Sequence, residues 1–235
     1  MKVLITSAAQ RLPQAIAAAL SHEHEVRLTD RQPVTTEHTF VTCDLGPDLA
    51  TNKLVKGTDA IVHWGQVQPS RDVSDQFDFL MRCTYNLLWA ATDEQVPRMI
   101  VLSSLRLFER YEEHFQVSEQ WRPSPSTDPV VLGSHLCEYV AKEFARERKV
   151  EVVCLRLGTI IWPEHQGALP TAALTCDDAA QAVERALHLK TRPSDTKSTG
   201  SDPWRIFHIQ SSVANARYPT TMAQRQLHFE PSQYN

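Results

Sequence analysis

The stretch MKVLITSAAQRLPQAIAAAL, residues 1–20, places a short apolar run directly before a polar turn and a helical pattern. Val3, Leu4 and Ile5 form a continuous apolar run instead of an alternating one, which is typical of a strand covered on both faces. Residues 10–21 then carry apolar side chains at the three-to-four spacing of an amphipathic helix. A strand, a turn and a helix in this order predict the first unit of an α/β sheet.

The same alternation continues along the chain and predicts seven strands in all. The six further strand candidates are residues 26–28, 40–41, 60–62, 99–102, 152–155 and 206–209, and the further helix candidates are residues 49–55, 74–92, 133–148 and 177–189. We therefore predict a Rossmann-like, doubly wound parallel sheet of about seven strands in a single domain over residues 1–235, because parallel neighbours require crossover helices. The polar stretch 191–203 is predicted to be a flexible loop, and Asp177 and Asp178 are expected to cap the last predicted helix.

Composition excludes several classes of partner. The chain has 235 residues and a formal charge of −4, without long runs of like charge, which argues against nucleic acid or a membrane as partner. Its five cysteines are widely spaced, so we interpret them as buried thiols of a cytoplasmic protein. The densest histidine cluster, His22-Glu23-His24, lacks the spacing of a helical metal motif, and no metal site is predicted.

The turn after the first strand has the layout of a dinucleotide-binding turn but lacks its glycines. Ser7, Gln10 and Pro13 occupy the three glycine positions, which serve the tight turn, the close approach of backbone to pyrophosphate, and the packing of helix on strand. Gln10 brings a side chain to the phosphate position, and Pro13 has no N–H to donate. Arg11 could compensate for the missing glycines by pairing with phosphate. The alternative is that Arg11 is a solvated cation at the helix end.

Several further segments resemble the extended short-chain dehydrogenase/reductase family, also called NAD-dependent epimerase/dehydratases. The segments are GTDAIVHWG at 57–65, TYNLLWAA at 84–91, VPRMIVLSS at 96–104, LRLGTIIWP at 155–163, CDDAAQAVERAL at 176–187 and QLHFEP at 226–231. The short path from Trp162 to Asp177 is most similar to the compact uronate dehydrogenase type, which has a minimal C-terminal substrate region.

The resemblance implies a set of cofactor-binding positions. Asp30, 23 residues after Ser7, matches the acidic residue that binds the adenosine ribose and favours NAD over NADP, with a solvated turn as the alternative. Asp44 matches the residue that meets the adenine amino group, or else caps the following helix. The same implied cofactor groove is lined by Leu12, Leu45 and Trp64. The Trp64 side chain either packs against its neighbours or narrows the groove.

The catalytic positions of the family are only partly retained. Its members use Tyr-x-x-x-Lys on a helix, in which the lysine lowers the pKa of the tyrosine so that the phenolate acts as base. By resemblance these positions fall on Leu132 and Leu136, whereas Ser104 matches the family's active-site serine or threonine. Ser104, His135 and Asp128 offer a weak alternative as a nucleophile, a base and an orienting acid.

These substitutions predict a pseudoenzyme, a non-catalytic nucleotide- or protein-binding or regulatory protein in which NAD binding is weak or lost. The alternative is an NAD-dependent sugar or uronate oxidoreductase or epimerase with an atypical active site. A small-molecule or nucleotide ligand is expected. A second copy of the chain or a related active protein is expected to bind the helices at 74–92 and 133–148, by which the family commonly dimerises.

Overall fold

Seven parallel strands form the central sheet of the computed structural model, which describes residues 1–64, 72–190, 203–212 and 216–233. The order across the sheet is β3-β2-β1-β4-β5-β6-β9, which confirms the predicted doubly wound sheet and all seven predicted strands. The strands are β1 (Lys2–Ile5), β2 (Glu25–Asp30), β3 (Thr39–Thr42), β4 (Ala60–Trp64), β5 (Arg98–Ser104), β6 (Glu151–Leu157), β7 (Thr159–Ile161), β8 (Ala173–Thr175) and β9 (Trp204–Ile209).

Helices cover both faces of the sheet. They are α1 (Arg11–Leu20), α2 (Leu49–Val55), α3 (Val73–Asp78), α4 (Thr84–Asp93), α5 (Pro129–Arg146), α6 (Cys176–Leu187) and α7 (Thr221–Leu227). Val3 and Ile5 of β1 pack in the core with α1 and α6, whereas Leu4 packs in the core with α4 and α5. This division follows from the pleat of a strand, which turns successive side chains to opposite faces.

Two predicted helices differ from the structure in their bounds. The helix expected over 74–92 is interrupted by a π-helical segment, Phe79–Cys83, between α3 and α4. The helix expected from residue 133 begins at Pro129, because Asp128 accepts hydrogen bonds from the amides of residues 130 and 131, and proline is favoured in the first turn. Gly133 lets α5 approach the π-helical segment, since a Cβ there would lie 2.1 Å from Leu80 Cδ1.

Elements that sequence periodicity missed are short. β7 and β8 form a separate two-stranded parallel sheet, and a 3₁₀ turn, Leu105–Phe108, follows β5. The predicted loop at 191–203 lies outside the described residues except for its last residue. Among the described helices, none combines the length and hydropathy that a membrane crossing requires. All five cysteines are free thiols, and Cys176 alone among them is not fully buried.

A buried carboxylate joins α6 to the C-terminal segment. The expectation that Asp177 and Asp178 cap α6 is wrong, because Thr175 is the N-cap and its hydroxyl accepts from the Asp178 amide. The Asp178 side chain points inward, where it accepts from the hydroxyl of Ser211 at 2.5 Å and from the amide and hydroxyl of Ser232 at 3.0 and 2.7 Å. Asp178 is 1% exposed, so these donors replace its hydration.

Replacement of Asp178 by alanine should therefore destabilise the fold by about 3 kcal/mol, because several buried donors lose a charged acceptor at once. The matched control is Asp177→Ala, which removes the neighbouring, exposed carboxylate and should cost less than about 1 kcal/mol. Urea unfolding of the two variants measures both costs. Equal destabilisation would show that Asp178 does not anchor the C-terminal segment.

Candidate functional site

The turn between β1 and α1 keeps the backbone shape that its missing glycines would favour. Ser7 has a φ of 59°, in the left-handed region, where a non-glycine residue costs about 1–2 kcal/mol. Its hydroxyl donates to the carbonyl of Trp64 at 2.7 Å, which offsets part of that cost. The turn thus has the conformation expected of the motif without its glycine.

The start of α1 is less suited to phosphate than a glycine-rich turn. Gln10 is the N-cap residue, yet its side chain makes no capping hydrogen bond. Leu12 and Pro13 are buried, so the position of the third glycine serves hydrophobic packing here. Because Pro13 has no N–H, the helix start presents one amide fewer to an anion.

Arg11 is held by partners that neither interpretation of the sequence included. Its guanidinium forms a two-pronged ion pair with Glu164, with Nη2 2.9 Å from Oε2, and lies 3.9 Å from the ring centroid of Trp162. The hydrogen bonds from Arg11 lower the pKa of Glu164 to about 2. Arg11 is thus a partly exposed cation at the helix end, as one of the two interpretations predicts, and a phosphate role would require this pair to open.

Of the two predicted adenosine contacts, Asp30 is hydrogen-bonded to the turn. Asp30 ends β2, and its carboxylate accepts from the amides of Ala9 at 2.9 Å and Gln32 at 3.2 Å. Asp44 is exposed and accepts from the Gly46 amide, whereas Asp48 caps α2, so the helix-capping alternative for Asp44 is wrong.

Leu45 follows Asp44 with a φ of 54°. Its side chain is buried, and its carbonyl accepts from the Asn86 side chain at 2.9 Å. The Leu45 side chain therefore packs in the core, and it does not line the groove that the resemblance implies.

A cavity of about 180 Å³ lies at the carboxyl ends of the strands beside Ser104. It is lined by Leu12, Trp64, Ser103, Ser104, Arg106, Val130, Val131 and residues 157–160. The hydroxyl of Ser104 accepts from the Arg106 amide at 3.1 Å, and the Arg106 side chain reaches Glu109 and Asp128. Ligands of doubly wound sheets bind at this edge, so this cavity is the candidate substrate site.

α5 faces the cavity with Val130 and Val131, and neither Leu132 nor Leu136 is among the lining residues. The geometry therefore favours Val130, and Ser134 one helical turn later, as the positions that correspond to the family's tyrosine and lysine. The Ser134 hydroxyl donates to the Val130 carbonyl at 2.8 Å. Val130 and Ser134 lie two residues before the positions predicted from the sequence, and neither side chain is ionisable near neutral pH.

His135 points to a different cavity, of about 300 Å³, which it shares with Arg156 and Glu138. Burial lowers the pKa of His135. Ser104 does not line that cavity, and Asp128 is engaged in capping α5. The structure thus does not assemble the suggested set of Ser104, His135 and Asp128.

Arg156 is an ion-paired structural residue. Its Nε and Nη2 donate to the Glu138 carboxylate at 2.9 and 2.8 Å, and both side chains are about nine-tenths buried or more. This pair ties β6 to α5, beneath the cavity that contains His135.

His63 links three elements beneath the turn, a role that the sequence did not reveal. Its Nδ1 lies 2.9 Å from the Thr6 hydroxyl and its Nε2 lies 2.8 Å from the Thr84 hydroxyl. Thr84 also donates to the Leu80 carbonyl, so it accepts from His63 Nε2–H, and the ring is a neutral imidazole with both nitrogens satisfied. Burial lowers the pKa of His63 to about 4. His63 therefore fixes β1, β4 and α4 below the cavity.

The family model of the NAD dependent epimerase/dehydratase family matches residues 13–192. The chain belongs to this family. The matched region begins at Pro13, the third of the glycine positions.

Individual relatives agree with this assignment. A uronate dehydrogenase of Pseudomonas syringae pv. tomato is 28% identical over 193 residues, which cover 80% of this chain and 70% of the relative. The crystal structure of uronate dehydrogenase from Agrobacterium tumefaciens has a TM-score of 0.82 at 21% identity and covers 99% of this chain and 84% of that one. UDP-glucuronic acid 4-epimerase from Bacillus cereus, solved in complex with NAD, has a TM-score of 0.78 at 15% identity, with 100% and 94% covered. The sequence relative supports the uronate-dehydrogenase-like character, and the structures confirm the fold.

The buried imidazole of His63 should make stability depend on pH. The unfolded chain protonates His63 below its ordinary pKa of 6.5, but the folded chain does so only near 4, so stability falls as pH decreases through this window. The slope is about 1.4 kcal/mol per pH unit for one such group. Urea unfolding between pH 7 and 4.5 should show a smaller slope for His63→Gln than for the unaltered protein.

His208, whose pKa burial lowers to about 3, contributes a slope of the same sign in both proteins, so the difference isolates His63. Identical slopes would contradict the neutral, buried state of His63.

Proposed function

We propose that this chain is a non-catalytic member of its family that binds a small hydroxylated ligand in the cavity beside Ser104. The observation that supports this most directly is the lining of the cavity. Among the described residues that line it, none carries a carboxylate, an imidazole, a phenol or an amine. A sugar hydroxyl placed there meets hydroxyls, one guanidinium and apolar side chains.

Hydride transfer from a sugar carbon requires a base that accepts the proton of its hydroxyl. In the described part of the site, Val130 and Ser134 stand where the tyrosine and lysine of the family are expected. An unactivated serine hydroxyl is a poor base near neutral pH, and none of the described residues that line this cavity with Ser104 is a histidine. The retained groups can orient a ligand by hydrogen bonds, but they do not supply the proton transfer.

The turn gives a second, independent argument. Gln10 and Pro13 reduce what the start of α1 offers to a pyrophosphate, and Glu164 occupies the guanidinium of Arg11. Binding of NAD therefore loses several contacts together, whereas a ligand confined to the Ser104 cavity loses none of them. We infer that cofactor affinity declined along with catalysis.

The competing proposal keeps the chain an NAD-dependent sugar or uronate oxidoreductase or epimerase with an atypical active site. Similarity to curated uronate dehydrogenases over about four-fifths of the chain favours it. In that case water must act as base, because His135 lies on the other cavity.

The two proposals differ in turnover. We expect the purified protein to show no NAD- or NADP-linked oxidation of glucuronate or galacturonate above background, with the Pseudomonas syringae uronate dehydrogenase assayed in parallel as the positive control. A thermal-shift screen of the same sugars tests binding separately, since a ligand at 100 times its Kd adds about 2.7 kcal/mol of stability. Turnover that Ser104→Ala abolishes would establish the enzyme instead.

NAD should bind with roughly millimolar affinity or weaker, because each 1.4 kcal/mol lost at the turn is about a factor of ten. Gln10→Gly should strengthen binding about tenfold, since it removes the side chain at the phosphate position and glycine is accepted at a helix N-cap. The control Gln95→Gly makes the same change at an exposed residue outside the turn and should have no effect. Calorimetry measures NAD binding by the unaltered protein and by the two variants. Micromolar binding by the unaltered protein, weakened by Asp30→Ala, would show that the glycines are dispensable here.

An exposed aromatic surface on α4 and α5 supports a partner. Tyr85, Trp89 and Tyr139 are 48%, 45% and 62% exposed, although large aromatic side chains are usually mostly buried. We propose that a second copy of the chain covers this surface, as α4 and α5 pair in the family by resemblance. Light scattering should give a dimer for the unaltered protein and a monomer for Trp89→Glu. A monomer in both would favour a related active protein as the partner.

A further inference from the structure

Three side chains with metal-binding atoms meet at the amino-terminal edge of the sheet, away from the Ser104 cavity. His24 lies in the turn between α1 and β2, directly before β2 begins. Glu184 and His188 lie one helical turn apart at the end of α6. One ligand atom from each of the three lies within 4.8 Å of the other two.

The distances suit a small cation. His24 Nε2 lies 2.9 Å from Glu184 Oε2, and His188 Nε2 lies 2.9 Å from Glu184 Oε1. The imidazole rings of His24 and His188 are 5.5 Å apart between centroids. Bonds of about 2.0–2.2 Å to a tetrahedral metal place its ligand atoms about 3.3 Å apart, so the three groups need only small shifts to share one ion.

Burial and charge also favour a bound cation over a chance surface contact. The His24 side chain is 3% exposed, Glu184 is 29% exposed and His188 is 55% exposed, so the cluster has a fixed inner ligand and an outer ligand on the solvent side. Two neutral imidazoles and one carboxylate give the set a charge of −1. Two nitrogen ligands and one oxygen ligand match the chemistry of Zn²⁺ and exclude a preference for Mg²⁺.

A second contact orients the inner ligand. His24 Nδ1 lies 3.3 Å from the amino group of Met1, so both nitrogens of this ring have partners. Nδ1 accepts from the Met1 ammonium in this arrangement, so binding of a metal at Nε2 releases one proton from the pair of His24 and Met1. Such partners of the second ring nitrogen fix the ring orientation of metal-binding histidines.

We propose that His24, Glu184 and His188 form a site for Zn²⁺ or a similar late first-row divalent cation, with water completing the coordination. The ion joins the end of α6 to the turn before β2 and so stabilises two elements that are distant in sequence. This proposal departs from the sequence-based expectation of no metal site, which rested on the spacing of the histidines along the chain. The same three groups can instead share protons, and the experiment distinguishes the two states.

The test is calorimetric titration of untagged, EDTA-treated protein with Zn²⁺, and with Mg²⁺ in parallel. We expect one Zn²⁺ per chain, no binding of Mg²⁺, and a rise in melting temperature of about 5 °C or more when Zn²⁺ saturates the protein. His188→Gln and Glu184→Gln should each weaken Zn²⁺ binding about tenfold or more. The matched control is His22→Gln, which removes an exposed histidine beside the cluster and should leave the affinity unchanged.

Cys176 is the partly exposed thiol and needs its own control. Cys176→Ser should bind Zn²⁺ as the unaltered protein does, and Co²⁺ should give d–d absorption without a thiolate charge-transfer band. Circular dichroism of each variant confirms that it folds. The proposal is wrong if no stoichiometric binding occurs at micromolar Zn²⁺, if His188→Gln binds equally well, or if Cys176→Ser abolishes binding.

Discussion

Burial of β1 on both of its faces is the constraint on which the rest of the structure depends. Val3, Leu4 and Ile5 have no solvent exposure, and β1 is hydrogen-bonded to β2 on one side and β4 on the other. A strand in this position exposes apolar side chains above and below the sheet, so helices must cover both faces. The parallel order then brings the carboxyl ends of β1, β4, β5 and β6 to one edge, where the cavity lies.

The turn after β1 has the backbone conformation of a glycine-rich turn, although its sequence lacks the glycines. Ser7 holds the left-handed backbone that glycine adopts without strain, and its hydroxyl binds the end of β4. Gln10 and Pro13 differ from glycine in other ways. The Gln10 side chain makes no capping hydrogen bond, and Pro13 packs in the core. Packing and hydrogen bonds hold this geometry, and Pro13 leaves the start of α1 with one amide fewer for an anion.

Buried polar groups connect the elements that strand pairing leaves separate. His63 joins β1, β4 and α4, Arg156 and Glu138 join β6 and α5, and Asp178 joins α6 to the segment near Ser232. Each group has hydrogen-bond partners that are distant in sequence, and a buried polar group without a partner is costly. These links therefore specify how the helices sit on the sheet, in addition to stabilising it.

The sequence by itself determined the seven strands, their parallel arrangement, the family and the absence of Tyr-x-x-x-Lys, because hydrophobic periodicity and local motifs are properties of neighbouring residues. It did not determine the register of α5 at the cavity, where Val130 and not Leu132 faces Ser104, since helix rotation depends on packing against the π-helical segment through Gly133. It did not reveal the partners of Arg11 and Asp178, or the meeting of His24 with Glu184, a residue 160 positions away. Such contacts are decided only when crossover connections bring distant segments together, and no local pattern records which side chains will then meet.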